Sequence, residues 1–361
     1  MEKMVINPNF WKGKKVLVTG HTGFKGSWLS LWLQHLDVEL VGFSNSVPTN
    51  PSLFEELKNQ EYMTSVNGDI RNYDDLKNVI SEFKPEIIFH LAAQSLVHHS
   101  YQNPLETYST NVMGTVNVLE AVRETNIPKI VINVTSDKCY KNIESSKGKT
   151  ELDELGGYDP YSNSKACAEL VIDSYRNSFF NISEFSRHGI AISSVRAGNV
   201  IGGGDWAENR LIPDIFKGII NNNKIKIRNP GSIRPWQHVL DPLNGYMILA
   251  EKLWENGPKF SEAWNFGPTN DEPKTVTWIL DKISQYWQKE IKFSEDNGKR
   301  GHESNTLILN SEKARLQLGW KSKIKIELGI KLVVDWYKQY KQKKNVKEIC
   351  LEQIKMFEKV E

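Results

Sequence analysis

A chain of 361 residues with 39% hydrophobic and 25% charged side chains has the make-up of an ordinary globular protein, which excludes collagen-like, disulfide-scaffolded and disordered chains. Forty-six basic against forty-four acidic residues leave a net charge of +2, too small a field to gather nucleic acid or an anionic membrane, so any anionic ligand must be held locally. Cys139, Cys167 and Cys350 are too scattered for a disulfide frame or a metal site, and no stretch approaches the ~20 apolar residues of a membrane span.

The N-terminal residues lack the apolar core of a signal sequence, so a cytoplasmic protein is expected. At this length a single core usually gives way to two lobes. Residues 15–19 are a short β-branched run ending in a glycine turn, and 24–36 follow with apolar residues at helical spacing. Residues 40–43, 64–66, 87–91, 130–135 and 190–196 read as further strands, with helices such as 73–83 and 106–124 between several of them. That alternation predicts an α/β fold with a Rossmann-type, doubly wound parallel sheet. After Gly198 it breaks down: glycine- and proline-containing pieces at 201–210, 229–235 and 267–273 separate short strands from helices such as 275–288. The expected organisation is a dinucleotide-binding domain mainly over 1–198 and a smaller C-terminal α+β substrate lobe mainly over 199–337, with the chain free to cross between them. Residues 338–361 read as a charged surface helix or tail.

The turn Gly20-His21-Thr22-Gly23-Phe24-Lys25-Gly26 spaces its glycines by three where the first strand enters the first helix. A dinucleotide pyrophosphate needs free backbone N–H groups and the positive end of a helix there, and side chains at these glycines would block its approach. Spacing alone is a weak signal, but the position at the head of a βα series is the context the motif requires. The second strand ends in Ser44-Asn45, and no Arg or Lys occurs from 40 to 57 to neutralise a 2′-phosphate, so NAD is favoured over NADP. After the third strand, Asp69 beside Ile70 is either an acceptor for the adenine amino group or a turn or helix-capping aspartate.

Tyr161 and Lys165 stand four residues apart behind Pro160, a helix start, and so share a helix face. An ammonium near a phenol favours the phenolate, which suits a general base that takes a hydroxyl proton while hydride leaves the same carbon. Ser136, Asp137 and Lys138 close the fifth strand, whose C-terminal end faces the ligand crevice of a doubly wound sheet. The serine can hold a reacting oxygen; the aspartate and lysine are candidate acid and base, or simply a solvated ion pair on a loop.

The glycine turn, His90-Leu91-Ala92-Ala93-Gln94, Thr110-Asn111-Val112-Met113-Gly114-Thr115, the Tyr161/Lys165 pair, Arg196-Ala197-Gly198-Asn199-Val200-Ile201-Gly202 and Ala314–Trp320 together resemble the extended short-chain dehydrogenase/reductase family over nearly the whole chain. Longer strings, among them Thr135–Tyr140, Gly202–Ala207 and Ile233–Val239, resemble that family's sugar-nucleotide 4,6-dehydratases. The resemblance implies NAD held by Gly20, Thr22, Gly23, Phe24, Gly26, Asp69, Ile70, Leu91, Ala92, Ala93, Gln94, Asn111, Tyr161 and Lys165. It implies a nucleotide sugar of the CDP-glucose kind held by Asn199, Arg210, Arg234 and the 299–303 region with His302, and a homo-oligomer.

The implied reaction is an internal redox dehydration to a 4-keto-6-deoxy sugar of the kind used in O-antigen-type polysaccharides. Tyr161 acts at C4 and Asp137 is the acid at the C6 hydroxyl. Many such dehydratases carry Asp-Glu where this chain has Asp137-Lys138, so Lys138 is either the C5 base or a stabiliser of enolate charge. A 4-epimerase on the same scaffold would need no acid at Asp137, and a cofactor-sensing regulator would lack the tyrosine and lysine pair. His238 reads either as a ligand contact or as a satisfied core histidine, and most of the eleven tryptophans as core or interface.

Overall fold

The computed structural model describes residues 6–141, 148–227, 229–268, 274–295 and 308–360. Seven strands, β1 (Lys15–Thr19), β2 (Glu39–Ser44), β3 (Thr64–Asn67), β4 (Ile87–His90), β5 (Ile130–Val134), β6 (Ala191–Arg196) and β7 (Ala263–Asn265), form one sheet in the order β7-β6-β5-β4-β1-β2-β3. Every neighbouring pair is parallel. The order reverses between β1 and β4, where Thr19 lies opposite His90, and a crevice opens beyond the strand ends at such a switch point.

Both faces of the sheet are covered, which is why its central strands are continuous apolar runs rather than alternating ones. Leu17, Ile88 and Val131 point into one core with Leu76 and Ile80 of α2 (Tyr73–Phe83) and Val118 and Val122 of α3 (Gly114–Thr125). Val16, Val18, Phe89 and Ile132 point into the other with Trp28 and Leu29 of α1 (Phe24–His35). The stretch expected as one helix over 106–124 is broken: a short helix at Pro104–Tyr108 passes through a wide π turn, Ser109–Met113, into α3. A single extra residue in a turn leaves the apolar spacing almost intact, so periodicity does not reveal it.

The helix carrying the Tyr161/Lys165 pair is α4 (Pro160–Ser178), and α5 (Leu211–Asn221) follows in the smaller lobe. Then α6 (Leu240–Phe260) packs on β5 and β6, and β7 extends the sheet, so residues 240–265 return to the dinucleotide-binding half. Between and after them, three two-stranded ladders join Val200–Ile201 to Gln237–His238, Ile225–Ile227 to Phe293–Glu295, and Ile233–Arg234 to Lys274–Thr275. The lobe is completed by α7 (Val276–Trp287) and α8 (Ile326–Lys341). At the end of the chain α9 (Val346–Lys359) is docked rather than loose: Phe357 meets the Trp32 ring edge-on at 5.5 Å, and Trp32 Nε1 donates to Glu358 Oε1 at 2.9 Å. Burying a side chain such as Phe357 is worth about 1.5–3 kcal/mol. No helix among the described residues is long and apolar enough to cross a membrane.

Candidate active site

The C-terminal ends of β1, β4 and β5 and the loops of the smaller lobe enclose a cleft of about 1220 Å³, larger than the ~300–1,000 Å³ typical of one small ligand. Its first wall is the glycine turn. Gly20 has φ +74°, and a Cβ there would lie 2.6 Å from Ala92 N; a Cβ on Gly26 would lie 2.1 Å from Gly20 O. These two glycines let strand and helix touch. Gly23, the N-cap of α1, has only one neighbour for a Cβ, Gly20 O at 3.4 Å, and lines the cleft with Thr22 and Phe24. The open space over the helix N-terminus therefore lies on the ligand side, and the cradle fits a dinucleotide pyrophosphate.

The second strand meets this turn through a residue that the spacing left unassigned. His21 is fully buried, its ring held between Ser44 Oγ at 2.9 Å and Ser65 Oγ at 2.8 Å, and burial lowers its pKa to about 4. Ser44 is thus occupied within the protein. Asp69 makes a turn: its carboxylate accepts from Arg71 N at 2.9 Å and takes the Arg71 guanidinium at 2.5 Å, while Asn72 caps α2. The Arg71 hydrogen bonds hold the Asp69 carboxyl down at about 2. Asp69, Ile70 and Arg71 all line the cleft beside Asn45, so a cation does stand near the end of β2, delivered by β3 rather than by the 40–57 segment.

On the other side, Leu91, Ala92, Ala93 and Gln94 line the cleft after β4, and Thr19 Oγ1 accepts from Ala92 N at 3.2 Å. Asn111, from the π turn, is not on the cleft wall. It is buried, exchanges bonds with the Gln94 backbone at 2.9 Å in both directions, and donates to Ser164 Oγ at 2.8 Å. It clamps the β4 loop to α4.

Asp159 caps α4, accepting from Ser162 N at 2.9 Å, and Tyr161, Lys165 and Glu169 then follow one turn apart on its buried face. Lys165 Nζ donates to Val134 O at 3.3 Å, which ties the helix to the end of β5, and burial brings its pKa down to about 8. The Tyr161 phenol sits above its ordinary range rather than below it. Burial pushes the phenol up to about 12, hydrogen bonding with Ser136 opposes that, and Asp137 adds to it. Low dielectric disfavours the charged phenolate.

Ser136 caps the turn Asp137–Cys139: its Oγ accepts from Lys138 N at 3.2 Å and donates to Asp137 Oδ1 at 3.0 Å. The Asp137 carboxyl rests on Gly198, where a Cβ would come within 1.7 Å of Oδ2, so only glycine fits. Burial raises its pKa, against the pull of Lys138, Ser136, Lys25 and Arg234. A carboxyl so placed is suited to donate a proton. Lys138 also lines the cleft.

Two features escaped the sequence reading. Lys25, in the first turn of α1, lines the same cleft, and burial together with Arg210 lowers its pKa to about 8 while Asp137 opposes the shift. Glu169 accepts from Arg196 Nε at 2.9 Å, from Arg196 Nη2 at 2.8 Å and from Ser194 Oγ at 2.6 Å, and also from Thr135 Oγ1. Arg196 in turn donates to Tyr140 Oη at 2.7 Å. The network is buried and fixes the strand end that carries Ser136 and Asp137.

The nucleotide-sugar side is less closed. Asn199, Arg210 and Arg234 line the cleft; Arg210 donates to Ser95 Oγ at 3.0 Å across it and to Asp205 Oδ2 at 3.4 Å. His302 and the rest of 299–303 lie outside the described residues. His238 is a core residue, 1% exposed against the Trp28 ring and with its pKa lowered to about 3 by burial. Trp236 lines the cleft, whereas Trp264 is core.

A doubly wound parallel sheet, a glycine turn after the first strand and a Tyr-x-x-x-Lys pair on the helix that backs β5 define an extended short-chain dehydrogenase/reductase. Within that class the chain belongs to the GDP-mannose 4,6 dehydratase family, whose model matches residues 17–333. It is 53% identical over 336 residues, 93% of this chain and 94% of the relative, to CDP-glucose 4,6-dehydratase of Salmonella typhimurium. It is 25% identical to dTDP-glucose 4,6-dehydratase of Haemophilus influenzae, over 89% of this chain and 97% of that protein. The fold is shared with the crystal structure of Bacillus anthracis dTDP-glucose 4,6-dehydratase in complex with NAD (TM-score 0.74, 24% identity, 91% of this chain and 98% of that one). It is shared too with UDP-glucose 4-epimerase of Thermotoga maritima with UDP-glucose (TM-score 0.77, 20% identity, 90% and 99%).

Proposed function

We propose that this protein converts CDP-glucose to CDP-4-keto-6-deoxyglucose and water, with NAD as a cofactor that is restored within each turnover. The observation that carries the reading is the 53% identity to CDP-glucose 4,6-dehydratase along 93% of the chain. The joint presence of Tyr161, Lys165, Ser136 and Asp137 in one cleft supports it. NAD supplies, when bound, the acceptor and then the donor of the hydride that leaves C4 and returns at C6.

The chain's own residues do the rest. The glycine turn receives the pyrophosphate, and Lys165 stands at the floor beside the β5 end. Tyr161 takes the proton of the C4 hydroxyl, and burial pushes its phenol up to about 12 against the hydrogen bonding of Ser136. The 4-ketone acidifies C5–H. Asp137, whose carboxyl is raised above its ordinary range by burial, donates to the departing C6 hydroxyl. Lys138 is the candidate that takes the C5 proton. Arg210 and Arg234 bind the diphosphate, for which their forked donors suit paired oxygens. A homo-oligomer in the cytoplasm is the setting we infer; exposed Leu105, Met113 and Leu170 on adjoining helices offer apolar surface for a second copy.

The test is incubation with NAD and, in separate reactions, CDP-, UDP-, dTDP- and GDP-sugars. The reading requires a 4-keto-6-deoxy product from CDP-glucose in preference to the others. Turnover of another sugar nucleotide alone, or epimerisation without water loss, contradicts it.

A further inference from the structure

The Asp137 carboxyl rests on Gly198, so whatever fixes the Gly198 peptide fixes the seat of that acid. The backbone carrying Asp137 is laid on the same segment: Thr135 N donates to Val195 O at 2.9 Å and Asp137 N to Ala197 O at 3.5 Å. Gly198 itself lies past the end of β6, beyond the last rung of the β6–β7 ladder at Arg196 and Asn265. A buried carbonyl there has lost its strand partner and needs another donor, and a glycine peptide, with no side chain to wedge it, is the easiest to turn.

The donor is Gln237. Within the Ile233–Val239 string, Arg234 and Trp236 reach the cleft and His238 is core, whereas Gln237 is 1% exposed and is not on the cleft wall. Its Nε2 donates one hydrogen to Gly198 O at 3.1 Å and the other to Phe266 O at 2.9 Å, which uses both. The Gln237 backbone is pinned in turn, its N–H donating to Asn199 O at 3.2 Å beside the Val200 rung. One side-chain amide thus straps together the segments that follow β6 and β7, behind Asp137.

We propose that Gln237 is a positioning residue for the dehydration, holding the Gly198 seat so that the Asp137 carboxyl meets the departing C6 oxygen. The inference rests on the dehydratase reading above. Without the amide the Gly198 peptide is released, the carboxyl moves with it, and proton donation at C6 suffers. The first hydride step is anchored elsewhere, by Tyr161 on α4 and by Lys165 Nζ on Val134 O. A glutamine that did no more than satisfy two buried carbonyls would lower stability and affect both steps alike.

Single turnovers with CDP-glucose and NAD separate the two steps, because reduced-cofactor absorbance rises with oxidation at C4 and falls when elimination lets the hydride return to C6. Gln237→Met keeps the length of the side chain and removes the donor. In Q237M the rise should keep its wild-type rate while the fall slows by about 10²-fold, the loss typical of displacing a reacting group by about 1 Å. The pH profile of the fall should move as well. Burial raises the Asp137 pKa, so a loosened seat that admits water brings the alkaline limb to lower pH, and the rise keeps its profile. The titratable groups that face Asp137, namely Lys25, Lys138, Cys139, Tyr161, Arg234 and Tyr246, are unaltered by the substitution. Gln237→Glu keeps the shape and, when protonated, one of the two donors; it shows the same split by a smaller factor and serves if Q237M does not fold. A rise and fall slowed by one factor, or a fall at the wild-type rate, in a folded variant overturns the role of Gln237. A wild type that forms no 4-keto-6-deoxy sugar brings down the dehydratase reading instead, before any variant is compared.

Discussion

The Glu169 carboxylate and the Arg196 guanidinium form a two-point pair, at 2.9 and 2.8 Å, with side chains 2% and 4% exposed, directly beneath the strand end that holds the reactive groups. Burial disfavours the charged carboxylate, yet Arg196 and two further hydrogen bonds, from Ser194 and Thr135, outweigh it and keep the Glu169 pKa below its ordinary value. Glu169→Gln leaves Arg196 buried and unpaired, which typically costs about 3–5 kcal/mol. Since the folded group titrates below 4.5, its stabilisation is complete above that pH and disappears as the pH falls through the folded value. Denaturant melts should therefore separate wild type from E169Q at neutral pH and bring them together in acid. Equal stability at neutral pH would show that the pair holds nothing in place.

Tyr161→Phe keeps the ring and removes the proton acceptor. Binding of the sugar nucleotide by calorimetry should be nearly unchanged, while turnover falls by at least about 10²–10⁴. A variant that retains most of its rate rules the tyrosine out as the base.

Lys25→Met tests the cation that the glycine pattern concealed. Lys25 draws the Asp137 pKa down, so its removal should let the carboxyl hold its proton to higher pH. The effect is confined to pH below about 8, where the native lysine is charged. In single-turnover elimination the alkaline limb should move upward; a limb that stays in place means that the ammonium does not act on Asp137.

Cofactor preference follows from Asp69, which adds negative charge at the end of β2 and engages Arg71 at 2.5 Å. Calorimetry should give tighter binding of NAD than of NADP. Asp69→Asn should narrow that gap by freeing the guanidinium for a 2′-phosphate. A wild type that prefers NADP would contradict the assignment of both residues.

The parts of this architecture that could be read from sequence are those set by local physics. Strands β1 and β4 are buried on both faces and so stand out as unbroken apolar runs, and Pro160 with Asp159 announces α4. What was hidden depends on partners far apart in the chain. Glu169 and Arg196 meet across 27 residues, and Asn45 meets Asp69 and through it Arg71 only because β2 and β3 lie side by side. The three-residue β7 is too short to show a period, and its place in the sheet is set by pairing with β6. Ile349, Ile354 and Phe357 stand among the charges of 338–361 as apolar residues at helical spacing, but only the docking onto α1 shows what covers them.

The central claim, a redox cycle closed within one sugar, is tested most directly by CDP-glucose deuterated at C4. The account predicts that the label appears in the methyl group at C6 of the 4-keto-6-deoxy product, with the C5 hydrogen exchanged for one from solvent or from the base. Label that stays at C4 of an epimerised sugar, or that is lost to water before reaching C6, would contradict it.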